Sequence, residues 1–132
     1  MKYKFFPHTA DAKFKAYGKS LEEQFSNAAL AMSSIMVDSK KVKPKIKKTI
    51  NIKGNDIKSL LYNFLEELLF LLDTEYFLLN QIEEIKIKDN SLKATITGDI
   101  VKDEYELLGE VKAVTYNDME ITKSYVQVVV DL

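Results

Sequence analysis

The sequence predicts an α+β fold in which two main helices pack on a largely antiparallel or mixed β-sheet, within a single domain over residues 1–132. Three observations carry this reading. Residues 21–36 and 57–73 repeat apolar side chains at helical spacing. The segments around them alternate apolar and polar residues, as half-buried strands do. After the second helix the strand segments follow one another as hairpins, which excludes an all-parallel, doubly wound sheet.

The elements follow in order. Residues 3–6 form a short strand. In "AKFKAY", residues 12–17, Ala12, Phe14 and Ala16 face one way and Lys13, Lys15 and Tyr17 the other. Ser20 caps the first helix, and Glu23, three residues on, completes a capping box. Leu21, Phe25, Ala28, Ala29, Met32 and Met36 form its core stripe, so the two methionines read as packing and not as a ligand pair. "SKKVKPKIKK", residues 39–48, is a basic connection in which Pro44 stops any helix; such a run is usually a solvated loop or edge strand, and the alternative is a modest RNA- or partner-facing patch. Ile46, Ile50 and Ile52 share one face of a strand over 46–52. Asn55 or Asp56 caps the second helix. Strands over 82–88 and 91–98 flank Asp89 and Asn90, a two-residue hairpin signal. The last two strands, 108–116 and 119–131, meet in a tight turn near Asn117 and Asp118. The predicted order is β-β-α-β-α-β-β-β-β.

Composition excludes several classes of function. Apolar residues at 46% and charged residues at 30% are an ordinary globular mix, and 132 residues can bury a core without covalent staples. No cysteine is present, which rules out disulfides and thiolate metal sites and leaves oxygen ligands and one imidazole. This usage is compatible with the cytoplasm, the expected location. A net charge of −1 provides no global basic field to draw in nucleic acid. All 19 basic residues are lysine, so bidentate phosphate clamps and arginine fingers are absent. That argues against a phosphoryl-transfer enzyme working alone and against an autonomous RNA reader. "MKYKFFPHTAD" lacks the apolar region of a signal peptide. The longest apolar run, "LLYNFLEELLFLL" at 60–72, is too short to span a bilayer and carries Glu66 and Glu67, so no membrane partner is expected.

Most catalytic motifs are also excluded. "GKS" at 18–20 resembles the tail of a phosphate loop, but Lys13 stands where the loop needs glycine. A single histidine, His8, forbids the paired-histidine zinc motif, and no EF-hand loop is present. No serine sits in a nucleophile-elbow context.

Three aspartates remain. Asp38 falls at the expected C-terminal end of the first helix, where the helix dipole disfavours a carboxylate and a bound cation would reverse the sign. Asp131 ends the apolar strand "YVQVVVDL", one residue before the last carboxylate. Asp11 opens a strand three residues after His8. Each alone is more often a cap or turn residue. If the ends of their elements converge, they form a hard-cation site of the Ca²⁺, Mg²⁺ or Mn²⁺ type; spacing does not decide this. His8 is then expected beside the site, orienting the loop or hydrogen-bonding a carboxylate. Lys112, in "GEVKAVTY", shares its strand face with Glu110, Val114 and Tyr116; it is a solvent-facing or paired lysine, or a cation that meets a phosphate.

The stretches "HTADAKFKAYGKSLEEQFSNAALAMSSIMVD" (8–38), "SLLYNFLEELLFLLDTE" (59–75), "GEVKAVTYNDMEI" (109–121) and "VVVDL" (128–132) together resemble the archease family. Four motifs in the right order cover nearly the whole chain. The resemblance implies a small cytoplasmic protein, not itself an enzyme, that activates the GTP-dependent ligase of tRNA splicing. It would promote guanylylation of the ligase and its multiple turnover, meeting RNA only through that ligase. It also implies a divalent-metal site at Asp11, Asp38 and Asp131, and a role in activation for Lys112. Relatives carry histidines near "EVKAVTY" where this chain has Tyr105 and Asn117, so histidine-based chemistry at that edge is not implied. Three further readings stand beside it: a chaperone-like modulator of an RNA-modifying enzyme, a stand-alone metal-dependent phosphoesterase with His8 as base, and a structural adaptor whose aspartates are only caps.

Overall fold

A computed structural model describes residues 1–8 and 10–132. The elements are β1 (Tyr3–Phe6), β2 (Asp11–Tyr17), α1 (Leu21–Met36), a 3-10 helix (Ser39–Lys41), β3 (Ile46–Lys53), α2 (Ile57–Glu75), β4 (Phe77–Lys88), β5 (Ser91–Ile100), β6 (Ala113–Ile121) and β7 (Tyr125–Asp131). The strands form two antiparallel sheets, ordered β1-β2-β7-β6 and β3-β5-β4. Each helix touches both sheets. A single buried cluster joins Phe14, Val126 and Val128 of one sheet to Ile50, Ala94 and Ile96 of the other through Phe25, Met32, Leu61 and Phe64. The α+β class, the two helices and the antiparallel pairing are as the sequence predicts.

Local chemistry explains the boundaries. Ser20 Oγ accepts the Glu23 N–H at 3.1 Å, the N-cap half of the box predicted there. Both halves form at α2, where Asp56 and Ser59 cap one another's backbone. Tyr76 ends α2 in the left-handed region at φ 58°. Asp89 and Asn90 both take positive φ, 51° and 59°, which suits the tight turn between twisted strands. Gly98 lies where β5 passes between its two neighbours; a Cβ there would stand 1.9 Å from the Leu78 carbonyl oxygen.

Three expectations need correction. β4 begins at Phe77 and not at residue 82. Residues 77–79 are buried without alternation, because Leu78 packs on a satellite cluster with Val37, Val42 and Tyr105 while Phe77 and Leu79 face the main core. Residues 108–112 are not strand; they run past the end of α1, where the Leu108 N–H donates to the Met36 carbonyl at 2.8 Å. The turn of the last hairpin lies at residues 122–124, held by Thr122 Oγ1, and not at Asn117 and Asp118. Those two residues form a bulge, in which 116–119 stand opposite Val128 and Asp118 takes φ 51°.

Candidate functional site

β2 and β7 pair so that Asp11 lies directly opposite Asp131. Ala12, Phe14 and Ala16 take the inward positions of β2, so Asp11 and Lys13 fall on its outward face. Directly opposed residues share a face, so both carboxylates project from the same patch, their Cβ atoms about 5 Å apart. At that separation two like charges repel by on the order of 1 kcal/mol even in water. β6 closes the other side: Ala113 pairs with Asp131, and the Lys112 N–H donates to the Asp131 carbonyl at 2.8 Å. Lys112 therefore precedes β6 in the loop, exposed and beside Asp131, and does not share a strand face with Glu110.

The bulge in β6 sends Asp118 across β7. Its carboxylate lies 3.5 Å from Lys13 Nζ and 3.9 Å from His8 Nε2. His8 Nδ1 lies 3.4 Å from Asp11 Oδ2, at ion-pair distance but without hydrogen-bond geometry. That nitrogen is buried and has no hydrogen-bond partner among the described residues. His8 thus stands between two aspartates. Gln127 fixes the bulge by donating its side-chain N–H to the Asp118 carbonyl at 2.8 Å.

Asp38 does not join this group directly. α1 ends at Val37 in extended backbone, and Asp38 becomes the N-cap of the 3-10 helix, accepting the Lys40 N–H at 3.1 Å. Asp38 follows the C-cap of α1, as the sequence predicts, and the Lys40 N–H supplies a donor to its carboxylate there. It is exposed, and lines a cleft with Lys41, Glu104, Tyr105 and Glu106. Asp38 nevertheless lies at the same end of the molecule as Asp11. Gln24 Nε2 donates to the carbonyls of Gly18 and Lys123, which seats the start of α1 near the end of β2. The 16 residues of α1 then run back about 24 Å, close to the length of the seven-residue β2. Residues 108–112 link the end of α1 to Asp131 through the Leu108 and Lys112 hydrogen bonds. Among the described residues, no three of His, Cys, Asp and Glu stand close enough together to hold a metal ion.

A second polar cluster was not foreseen. Asp99 is buried on β5 and accepts from Tyr105 Oη at 2.6 Å, Lys102 Nζ at 3.1 Å and the Ile100 N–H at 2.9 Å. The Tyr105 hydrogen bond, then Lys102 and the Ile100 N–H, hold the Asp99 carboxyl below its ordinary pKa against the opposing effect of burial. Burial, then Asp99, raises the Tyr105 phenol, and the Asp99 hydrogen bond raises Lys102. Tyr105 also accepts the Lys43 N–H at 3.1 Å, so it pins the 101–112 loop to the entry of β3. The signal was an acidic residue inside the apolar run "ATITGDIV". Asn117 is exposed on the β6 bulge, where its N–H donates to Thr115 Oγ1.

Comparison with known proteins follows the same outline. The archease protein family (MTH1598/TM1083) matches residues 3–132. A protein archease of Methanosarcina barkeri is 40% identical over 139 residues, covering 98% of this chain and 95% of that protein. One of Methanothermobacter thermautotrophicus is 46% identical over 122 residues, covering 90% and 87%. The solution structure of Methanobacterium thermoautotrophicum protein 1598 superposes with a TM-score of 0.81 at 38% identity, over 99% of both chains. A crystal structure from Thermotoga maritima, described as an archease and possible chaperone, shares the fold with a TM-score of 0.61 at 20% identity, over 98% and 96%. Among the described residues, no helix is long and apolar enough to cross a membrane.

Proposed function

Because this chain belongs to the archease family, we propose that it is an accessory protein that activates the GTP-dependent ligase of tRNA splicing in the cytoplasm. In this reading it promotes guanylylation of the ligase and its multiple turnover. The carrying observation is the register that sets Asp11 opposite Asp131, with Lys112 bonded beside them. Like charges opposed across strands are unfavourable unless something positive meets them.

The donor set fits a divalent cation in kind. Carboxylate oxygens are the ligands Ca²⁺, Mn²⁺ and Mg²⁺ prefer, and an unpartnered, buried His8 Nδ1 lies beside Asp11. Asp11 and Asp131 would hold the ion, and Asp38, exposed at the same end of the molecule, would supply a third arm. When bound, the ion supplies positive charge that phosphate groups need during phosphoryl transfer. The chain's own residues do the rest. The β2–β7 register positions the two carboxylates, Lys13 and His8 restrain Asp118, and Lys112 presents an exposed ammonium to a phosphate or a ligase carboxylate. A stand-alone hydrolase is less well supported, since His8 stands between two carboxylates and not beside a nucleophile.

Multiple-turnover RNA joining tests the proposal, with purified ligase, GTP and Mn²⁺, with and without this protein. Addition of the wild type is expected to raise turnover, and Asp11→Ala, Asp38→Ala and Asp131→Ala to lose that gain. Equal activation by all three variants would refute the site. Sustained hydrolysis of GTP or a cyclic phosphate by the protein alone would favour the phosphoesterase.

A further inference from the structure

The outward face of the three-stranded sheet takes no part in the mechanism above. Inward positions of this sheet, Ile50, Leu92, Ala94 and Ile96, are buried in the core. The outward positions alternate with them along each strand. Asn51, Lys93 and Lys86 form one cross-strand row, and Lys53, Ser91 and Lys88 form the next. Neighbours across a row are about 4.8 Å apart, and the rows about 6.8 Å apart along the strands. Four lysines therefore crowd two rows, and Lys86 faces Lys93 directly. Lys86 meets Glu84 at 3.4 Å, a well-exposed and weak pair. Among the described residues, Lys53, Lys88 and Lys93 form no ion pair. The chain as a whole carries a net charge of −1, so this patch is a local excess of positive charge.

We propose that this face binds the sugar–phosphate backbone of double-helical RNA without reading its sequence. The outward side chains of both rows are lysine, asparagine and serine; the next row, Thr49, Thr95 and Glu84, carries one carboxylate, which pairs with Lys86 at the edge of the patch. No aromatic or large aliphatic residue occupies an outward position there, whereas protein interfaces rest on such anchors and are depleted in lysine. Unpaired bases would find nothing to stack on, which disfavours a single strand. Lysine ammonium groups suit phosphates as point charges, and the short polar side chains between them can bond phosphate and 2′-hydroxyl oxygens. The face lies on a different sheet from Asp11 and Asp131, so both surfaces can be engaged together. That the polyanion is RNA rests on the ligase reading; its position on this face does not. Direct contact at this face would replace the expectation that RNA is met only through the ligase.

Fluorescence anisotropy with a labelled RNA hairpin of arbitrary sequence tests this, using the wild type, K88E/K93E, K88Q/K93Q and Asp131→Asn. Three neutralised phosphates predict an affinity loss of about 40-fold between about 50 and 200 mM salt. K88Q/K93Q should bind more weakly and retain a salt effect of only about 3.5-fold, as for one remaining contact, and K88E/K93E should bind more weakly still, with a smaller salt effect. Their melting temperatures should match or exceed the wild type. Asp131→Asn should bind RNA as the wild type does, even where it no longer activates the ligase. Salt-insensitive or absent binding by the wild type would overturn the proposal, as would unchanged binding by K88E/K93E. Weaker association of the lysine variants with RNA-free ligase, with RNA binding intact, would make the face a protein interface. Wild-type RNA binding without ligase activation would refute the proposed function and leave this site standing.

Discussion

Replacing Asp131 with asparagine keeps the shape of the side chain and removes one of two opposed charges. The Cβ atoms of Asp11 and Asp131 are about 5 Å apart by their pairing. In bulk water the repulsion would be about 1 kcal/mol, and with the Asp11 side chain only 26% exposed that is a lower bound. A chain of 132 residues unfolds with an entropy of about 0.28 kcal/mol/K, so relief of 1 kcal/mol raises Tm by about 4 °C. A cation at about 100 times its Kd stabilises the wild type by about 2.7 kcal/mol, or about 10 °C. The two effects have opposite signs. In chelator, Asp131→Asn should melt above the wild type. With saturating Ca²⁺ or Mn²⁺ the order should invert, because the variant has lost a ligand. Scanning calorimetry in both buffers reads this directly. A variant that melts lower in chelator, or an ion that raises both proteins equally, would refute the reasoning.

Three other outcomes are expected. Gly98→Ala drives a methyl group into the Leu78 carbonyl and should destabilise by about 3 kcal/mol, a Tm loss of about 10 °C by thermal melting; an unchanged Tm would contradict the close approach. The depressed Asp99 carboxyl makes the folded state bind fewer protons than the unfolded one, so its stabilisation is full above about pH 4 and is lost on further acidification. The raised Tyr105 phenol gives the converse, full below about pH 10 and lost as pH rises through its folded value. Denaturant titrations across pH should show Asp99→Asn flattening the acid limb and Tyr105→Phe the alkaline limb, and unchanged limbs would argue against the buried pair. Lys112→Ala removes an exposed side chain whose backbone alone holds Asp131, so Tm should shift by less than about 2 °C while ligase activation falls. Full activation by this variant would free Lys112 of any role.

Burial on one face explains which elements were legible. The alternation of Phe14 and Ala16 with Lys13 and Lys15 announces β2, and the spacing from Phe25 to Met36 announces α1, because each element meets the core from one side only. The start of β4 was hidden since Phe77, Leu78 and Leu79 are all buried, two toward the main core and one toward the satellite cluster around Tyr105. Asn117 and Asp118 carry turn chemistry, and Asp118 does adopt a positive φ, but a bulge and a hairpin demand the same residue. Only strand pairing separates the two, and pairing is a long-range property. The same limit governs the site. Asp11 and Asp131 stood out as carboxylates at the ends of elements, yet their juxtaposition depends on a register between strands 120 residues apart in sequence. The position of Asp118 reads as a turn, which hides its part in the site, and Asp38, just past the C-terminal end of α1 as predicted, also caps the turn that follows it.

The central claim is that the opposed aspartates make this protein an activator of ligase guanylylation, and labelled GTP tests it most directly. Transfer of the labelled guanylate to the ligase is measured in Mn²⁺ with the wild type, with Asp11→Asn/Asp131→Asn, and with no addition. The account predicts faster label incorporation with the wild type and the unassisted rate with the double variant, whose fold calorimetry verifies. Incorporation at the wild-type rate with the double variant, or no acceleration by the wild type, would contradict it.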